Sequence, residues 1–378
     1  MTNMYDYINW RGDITFDEVG INEVDSLIFT ELSYIPFENV VPGISSEEKI
    51  TVSEAGKKFF EMHDENISIG AIIPSKEIVG LLKAVKDTPR FKDVRVWGYV
   101  NDINIKDECQ FSAVCFDIGD KITYVAYRGT DDTIIGWKEN FNMAFFTPIP
   151  SQKYGAEYLD IVAGRTKGKL LVGGHSKGGN LAVYSSLFAS EKTKKRVVFV
   201  HSFDGPGFQE DFIKSLDKDP MVSKVTTIVP ENSTVGMIFD AVGNLEPIKS
   251  SQKGLRQHDA FSWTIMGSHF VSAKLGKAAR DFHDLLKKWV EKMTREEKID
   301  FVEALYKIFT VTDATTLTEI SADKMKFVVA MLKADDKTKK TIFNGVRNLI
   351  KEKYARKPIA LKSEENGTES TGITGDDK

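Results

Sequence analysis

The spacing of apolar and polar positions divides the chain into three stretches of different period. Up to about residue 93 the apolar residues recur at helical spacing. In 22–35, Val24, Leu27, Ile28, Leu32 and Ile35 fall on one side of a helix. Residues 52–63 and 75–86 read as two more helices, the second with Ser75 as N-cap and Ile78, Val79, Leu81, Leu82 and Val85 inside. From 94 the period shortens to that of strands, at 94–101, 110–118 and 121–128, with Gly119-Asp120 as a hairpin turn between the last two. A mixed aromatic segment, 134–146, is followed by alternating elements: helix 151–163, strand 169–174, helix 180–190, strand 196–203, helix 209–216, strand 224–229 and a weaker strand at 245–250.

After about residue 275 the strands stop. Phe282, Leu285, Leu286, Trp289, Val290 and Met293 make an amphipathic stripe, and Thr294 with Glu297 makes a capping box for a helix over 296–309. Further helices are expected at 321–332 and 339–354, and the polar stretch 363–378 is expected to be disordered. Strands alternating with helices predict an α/β protein with a mostly parallel, doubly wound sheet, entered through an antiparallel hairpin. The core then spans 94–274, between an N-terminal helical segment (1–93) and a C-terminal helical extension (275–360), with a tail at 361–378. The extension reads as cover for the flank of the sheet in preference to a lid or cap.

The sharpest feature is 170–182, LLVGGHSKGGNLA. A buried strand runs into Gly174-His175-Ser176-Lys177-Gly178 and leaves as a helix, the pattern of the nucleophile elbow of α/β-hydrolases. The turn is so tight that the residues two before and two after the serine crowd against it, so Gly174 and Gly178 carry no side chain, and Gly173 and Gly179 relax the corner further. Ser176 Oγ is thereby expected at the end of a strand, beside the positive N-terminus of a helix.

A serine needs a base, and the base needs a third group to orient it. Four histidines follow Ser176: His201 lies inside a strand, and His283 beside an apolar stripe, where a structural role is expected. His258, in a loop after the last strand, is the preferred base, with His269 in reserve. For the acid, Asp204 directly follows the strand next to the elbow strand, in Phe203-Asp204-Gly205-Pro206-Gly207, and is preferred over Glu231. An oxyanion hole is expected from the Lys177 N–H and from Thr130, which could give its N–H and its hydroxyl. The Lys177 side chain reads as solvated, with contact to an anionic substrate group as the alternative.

Composition changes little. The 378 residues are 41% hydrophobic and 28% charged with a net charge of −4, which is ordinary for a globular protein and gives no reason to expect nucleic acid. Cys109 and Cys115 lie in or beside a strand-like run and are expected to be interior and reduced, with no disulfide and no metal-ligand spacing around them. The start, MTNMYDYINWRGD, lacks the charge and apolar pattern of a secretory signal. No run reaches the ~18 apolar residues of a membrane span, so a cytoplasmic protein without an integral membrane segment is expected.

Arg128-Gly129-Thr130-Asp131 with Trp137, together with Gly174–Gly179, resembles the fungal-type (class 3) lipases over roughly residues 110–269. That resemblance implies an oxyanion loop at 128–130 and a lid at or beside Trp137. More of the chain resembles a bacterial family of lipase-like hydrolases, domain of unknown function 2974. The shared residues are Trp10-Arg11-Gly12-Asp13, Asn22-Glu23-Val24-Asp25, Leu32-Ser33-Tyr34, the FDGPGF of 203–208 and Gln257-His258-Asp259. The resemblance implies a serine-hydrolase site without naming a substrate. Two departures stand out: Lys177 replaces the usual small residue or leucine, and 229–235 replaces the loop that usually carries the acid, which keeps Glu231 in play.

The expected function is a carboxylic ester hydrolase acting on an ester or acyl-lipid small molecule, with no metal or organic cofactor. The alternatives are a thioesterase or transacylase, or a hydrolase-fold binding or scaffold protein without turnover.

Overall fold

The computed structural model describes residues 2–354 apart from 65, 68, 70–75, 120, 132 and 311–333. Helices α1 (Met4–Arg11) and α2 (Glu23–Leu32) precede a two-residue strand β1 (Ile50–Thr51), α3 (Val52–Met62) and α4 (Glu77–Val85). Strands β2 (Arg95–Asn104), β3 (Cys109–Ile118) and β4 (Ile122–Tyr127) follow. Next come α5 (Ile134–Phe145), α6 (Pro150–Arg165), β5 (Lys169–His175), α7 (Lys177–Phe188) and the short α8 (Glu191–Lys194). The sheet is completed by β6 (Val197–Phe203), β7 (Val225–Pro230) and β8 (Asn244–Ile248), with α9 (Glu210–Ser215) after β6. A ribbon of β9 (Ile265–Met266) and β10 (His269–Phe270) leads to α10 (Lys277–Glu291), α11 (Arg295–Thr310) and α12 (Asp336–Tyr354).

One sheet takes β1 to β8 in sequence order, antiparallel from β1 to β4 and parallel from β4 to β8. Both faces are covered, as a parallel sheet requires. On one face α2 and its neighbours bury Val24, Leu27, Ile28 and Phe29 against Phe116, Tyr124 and Leu171. On the other, α6 and α7 bury Leu159, Val162, Leu181 and Val183 against Val125, Val172 and Val200. This is the α/β-hydrolase arrangement expected above.

Helix α2 carries polar residues into this interior. Ser26 and Thr30 both share hydrogen bonds with the Tyr124 hydroxyl (2.8 Å each), and Ser26 Oγ also meets His201 Nδ1 at 2.9 Å. Burial pushes the His201 imidazole down to about 4, so it stays neutral in the folded protein. Cys109 and Cys115 are buried free thiols, each pushed up to about 12, chiefly by burial.

Several expectations shift. Helix α1 shows little apolar period and is set instead by a capping box, Asn3 with Asp6. The aromatic segment 134–146 is the helix α5, capped by Thr133 Oγ1 accepting from Gly136 N (3.1 Å). The described C-terminal helices pack, through Trp289, Val290 and Val302, against Phe145 of α5 and Phe239 of a loop. Ser75, Asp120, the helix expected over 321–332 and the tail from 361 lie outside the described residues. No described helix is long and apolar enough to cross a membrane.

The N-terminal helices are fastened by a buried ion pair. Arg90 Nε donates to Asp25 Oδ1 (2.8 Å) while its Nη1 reaches the carbonyls of Ile14 (3.0 Å) and Val19 (3.1 Å), with both partner side chains fully buried. Removing one partner strands the other charge, so Asp25→Ala and Arg90→Ala should each cost about 3–5 kcal/mol in denaturant unfolding. A loss of under about 1 kcal/mol, typical of a surface pair, would show that this contact does not fasten the segment.

Candidate active site

The corner between β5 and α7 is closed by backbone contact. A Cβ on Gly174 would lie 2.1 Å from the Gly178 carbonyl oxygen, and one on Gly178 would lie 2.1 Å from that of Tyr127. Ser176 sits between them at φ 58°, ψ −132°, a conformation costly for any residue with a side chain. Its amide donates to the Phe203 carbonyl (2.9 Å), which ties the corner to the end of β6.

Asp204 is the next residue after Phe203, at φ 46°, in the left-handed region that Asp tolerates better than most. It is fully buried, and its carboxylate is held by three donors. His258 Nδ1 donates to Oδ2 (2.7 Å), and Ser233 Oγ and Gly236 N (3.1 Å) donate to Oδ1. A carboxylate so placed fixes the tautomer of the neutral ring, with the proton on Nδ1 and the lone pair on Nε2. Behind it, the His175 ring stacks on His258 with centroids 4.5 Å apart, and His175 Nε2 donates to the His258 carbonyl (2.9 Å).

The reserve residues lie elsewhere. Glu231 lines a separate cleft with Ser250 and Gln252, and its amide donates to Ile248 O of β8 (2.8 Å). His269, expected near the start of a helix, is exposed on β10 and faces Glu23 at 3.6 Å. His283 anchors α10 to the 237–240 loop through Met237 O (3.2 Å) and Asp240 (3.3 Å).

Two expectations at the oxyanion site are overturned. The Thr130 hydroxyl is not free, since it donates to Asn140 Oδ1 (2.7 Å), which leaves the backbone N–H as this residue's available donor. The Lys177 side chain is neither solvated nor open to a substrate anion. It runs inward, and its three ammonium hydrogens are taken by Gln110 O (2.6 Å), Gln110 Oε1 (2.8 Å) and Glu139 Oε2 (2.7 Å). Glu139, also fully buried, accepts from the amides of Gln110 and Ser151 as well (3.0 Å each). The ion pair thus pins α5 to the first turn of α7. A lysine in an interior first turn calls for a carboxylate, and Glu139, the one acidic residue of 134–146, is the signal available in the sequence.

Between α5 and the loops after β6 and β7 lies a cavity of about 300 Å³. Ser176 opens onto it, and Trp137, Phe141, Met143, Val235, Ile238, Phe239 and Leu255 make its wall mostly apolar. Among the described residues no group of three or more His, Cys, Asp or Glu is arranged to hold a metal ion.

M37 lipase aligns at 18% identity over 57% of this chain and 69% of its own, with a TM-score of 0.35. A mutant of MDLA from Penicillium cyclopium aligns at 12% identity over 65% of this chain and 83% of its own, with a TM-score of 0.37. No curated protein matches. The family model described as Mbeg1-like matches residues 85–307, more than half of the chain and including Ser176, Asp204 and His258, and the chain belongs to the Mbeg1-like family.

Proposed function

We propose that the protein is a serine hydrolase that cleaves carboxylic esters of apolar acyl groups. The observation that carries this reading is a strained serine opening onto an apolar cavity at the same sheet edge as a buried Asp–His pair. In the proposed reaction Ser176 Oγ attacks the acyl carbon and its proton passes to His258 Nε2. Asp204 holds the imidazole in the required tautomer and stabilises the imidazolium that forms. The N–H groups of Thr130 and Lys177 receive the negative charge that develops on the carbonyl oxygen, next to the positive end of α7. Collapse of the intermediate expels the alcohol with the proton from His258, and water, activated by the same base, then releases the acid.

The cavity supports an acyl chain as the part of the substrate that is bound. A methylene fills a volume close to that of a liquid water, ~30 Å³, so the space holds on the order of eight to ten carbons. The resemblance of 203–208 and 257–259 to lipase-like hydrolases supports the same reading.

A fluorophosphonate probe should label the wild-type chain at Ser176 and leave Ser176→Ala unlabelled. No labelling in wild type would favour a binding protein that has kept the fold, and labelling that persists in the variant would show that Ser176 is not the nucleophile. Asp204→Asn should lower kcat toward p-nitrophenyl esters by about 10⁴-fold through the wrong tautomer, whereas Glu231→Gln and His269→Ala should change it by under about threefold. Across esters of graded length, kcat/KM should rise to about eight to ten acyl carbons. Met143→Trp, by filling the cavity, should move that optimum to shorter chains; an optimum at acetyl in wild type would show that the cavity does not take the acyl group.

A further inference from the structure

The proposed reaction leaves one buried acid next to the site unused. Glu31, in the last turn of α2, is almost wholly buried, and among the described residues it forms no ion pair with Lys or Arg. Its Oε1 meets no hydrogen-bond donor in the fold and lies 3.4 Å from His175 Nδ1. His175 Nε2 must carry a proton, because it donates to the carbonyl oxygen of His258, which can only accept. Nδ1 of the same ring therefore either accepts, from a neutral acid or hydroxyl, or carries a second proton and makes the ring a buried cation.

The surroundings favour the first state. An unpaired carboxylate buried in this position is strongly disfavoured. The groups that face it are Asp259 in the loop beyond His258, Tyr34 one turn further along the chain, and His175 itself, with Arg128 acting on Tyr34 from the loop after β4. Burial, with Asp259 adding to it, holds the Glu31 carboxyl well above its usual range. Burial, with His258 adding to it, holds the His175 imidazole well below its own. Both directions put the shared proton on Glu31. Tyr34 OH then has His175 O (3.4 Å) as an alternative to Nδ1 (3.3 Å), and a Cβ on Gly129 would lie 2.1 Å from this hydroxyl, so Tyr34 also abuts the oxyanion loop.

We propose that Glu31 is a positioning residue that acts as a neutral acid: its carboxyl proton is donated to His175 Nδ1, which fixes the His175 ring against the backbone and imidazole of His258. The chain of contacts runs Glu31, His175, His258, Asp204, and it begins outside residues 85–307, the part matched by the family model. The N-terminal helix thus supplies part of the machinery of the site as well as covering the sheet. The role in turnover rests on the serine-hydrolase reading, but the proton position does not.

The test uses the full chain with ¹⁵N-labelled histidine and has two arms. By NMR, His175 should show a protonated Nε2 and an unprotonated Nδ1 from about pH 6 to about pH 8, with no titration between. In Glu31→Ala, which removes the carboxyl donor at Nδ1, the His175 Nδ1 signal and the His258 signals should move, and Glu31→Gln, which keeps a donor, should restore both. In the second arm, fluorophosphonate labelling of Ser176 should slow about tenfold in Glu31→Ala, roughly the loss of one hydrogen bond in the chain, and recover in Glu31→Gln. A doubly protonated His175 in wild type at neutral pH would overturn the proposal, as would Glu31→Gln labelling as slowly as Glu31→Ala. If wild type is not labelled at all, the hydrolase reading fails and the NMR arm, which needs no turnover, still decides the proton position. If Glu31→Ala does not fold, wild type and Glu31→Gln carry the same decision.

Discussion

The structure turns on a contact too close to admit a side chain. At the end of β5 the backbone of Gly174 touches that of Gly178, and Gly178 touches Tyr127. A strand and a helix can approach this closely only if the residue between them takes a strained conformation, and Ser176 does so. Strain of this kind persists only when the surroundings over-determine it. Here the constraints are the hydrogen bond of Ser176 N to β6, the parallel pairing of β5 with β4 and β6, and the Gly129 loop passing flush against the corner.

The same corner explains the buried lysine. The first turn of α7 is enclosed by the sheet and by α5, so a long cationic side chain at 177 cannot reach water and must find its partners inside. Glu139 provides the charge and Gln110 the remaining acceptors. The segment that resemblance to lipases marks as a mobile lid is therefore anchored by a desolvated ion pair at its middle. It is held from outside as well: Lys138, its neighbour, pairs with Glu108 (2.6 Å) and with Glu303 of α11 (2.8 Å). One wall of the cavity is thus a helix fastened on two sides.

What the sequence revealed follows from how local each signal was. The corner was legible because its cause lies within five consecutive residues, 174–178. The proximity of Asp204 to His258 was legible because strand order in a parallel sheet limits which loops share an edge, although the residues are 54 apart. The partners of Lys177 are not legible in the sequence, because Gln110 and Glu139 lie 67 and 38 positions away and only the fold brings them to one point. Nothing local to Thr130 reveals Asn140 opposite its hydroxyl. Helix α1 was missed because its cue is a cap, not a period, and the ribbon holding His269 because two-residue strands leave almost no pattern.

Helix α2 is buried along its whole length, from Val24 to Leu32, and its polar side chains find partners far along the chain. Arg90 lies 65 residues beyond Asp25, Tyr124 lies 98 beyond Ser26, and His201 lies 175 beyond Ser26. A helix with no face for water cannot stand alone in it. During synthesis α2 leaves the ribosome early and then waits, with its apolar surface uncovered, until most of the sheet has been made. Loop-closure entropy of this size slows folding, and the uncovered helix is where a nascent chain of this protein is open to chaperones and to aggregation.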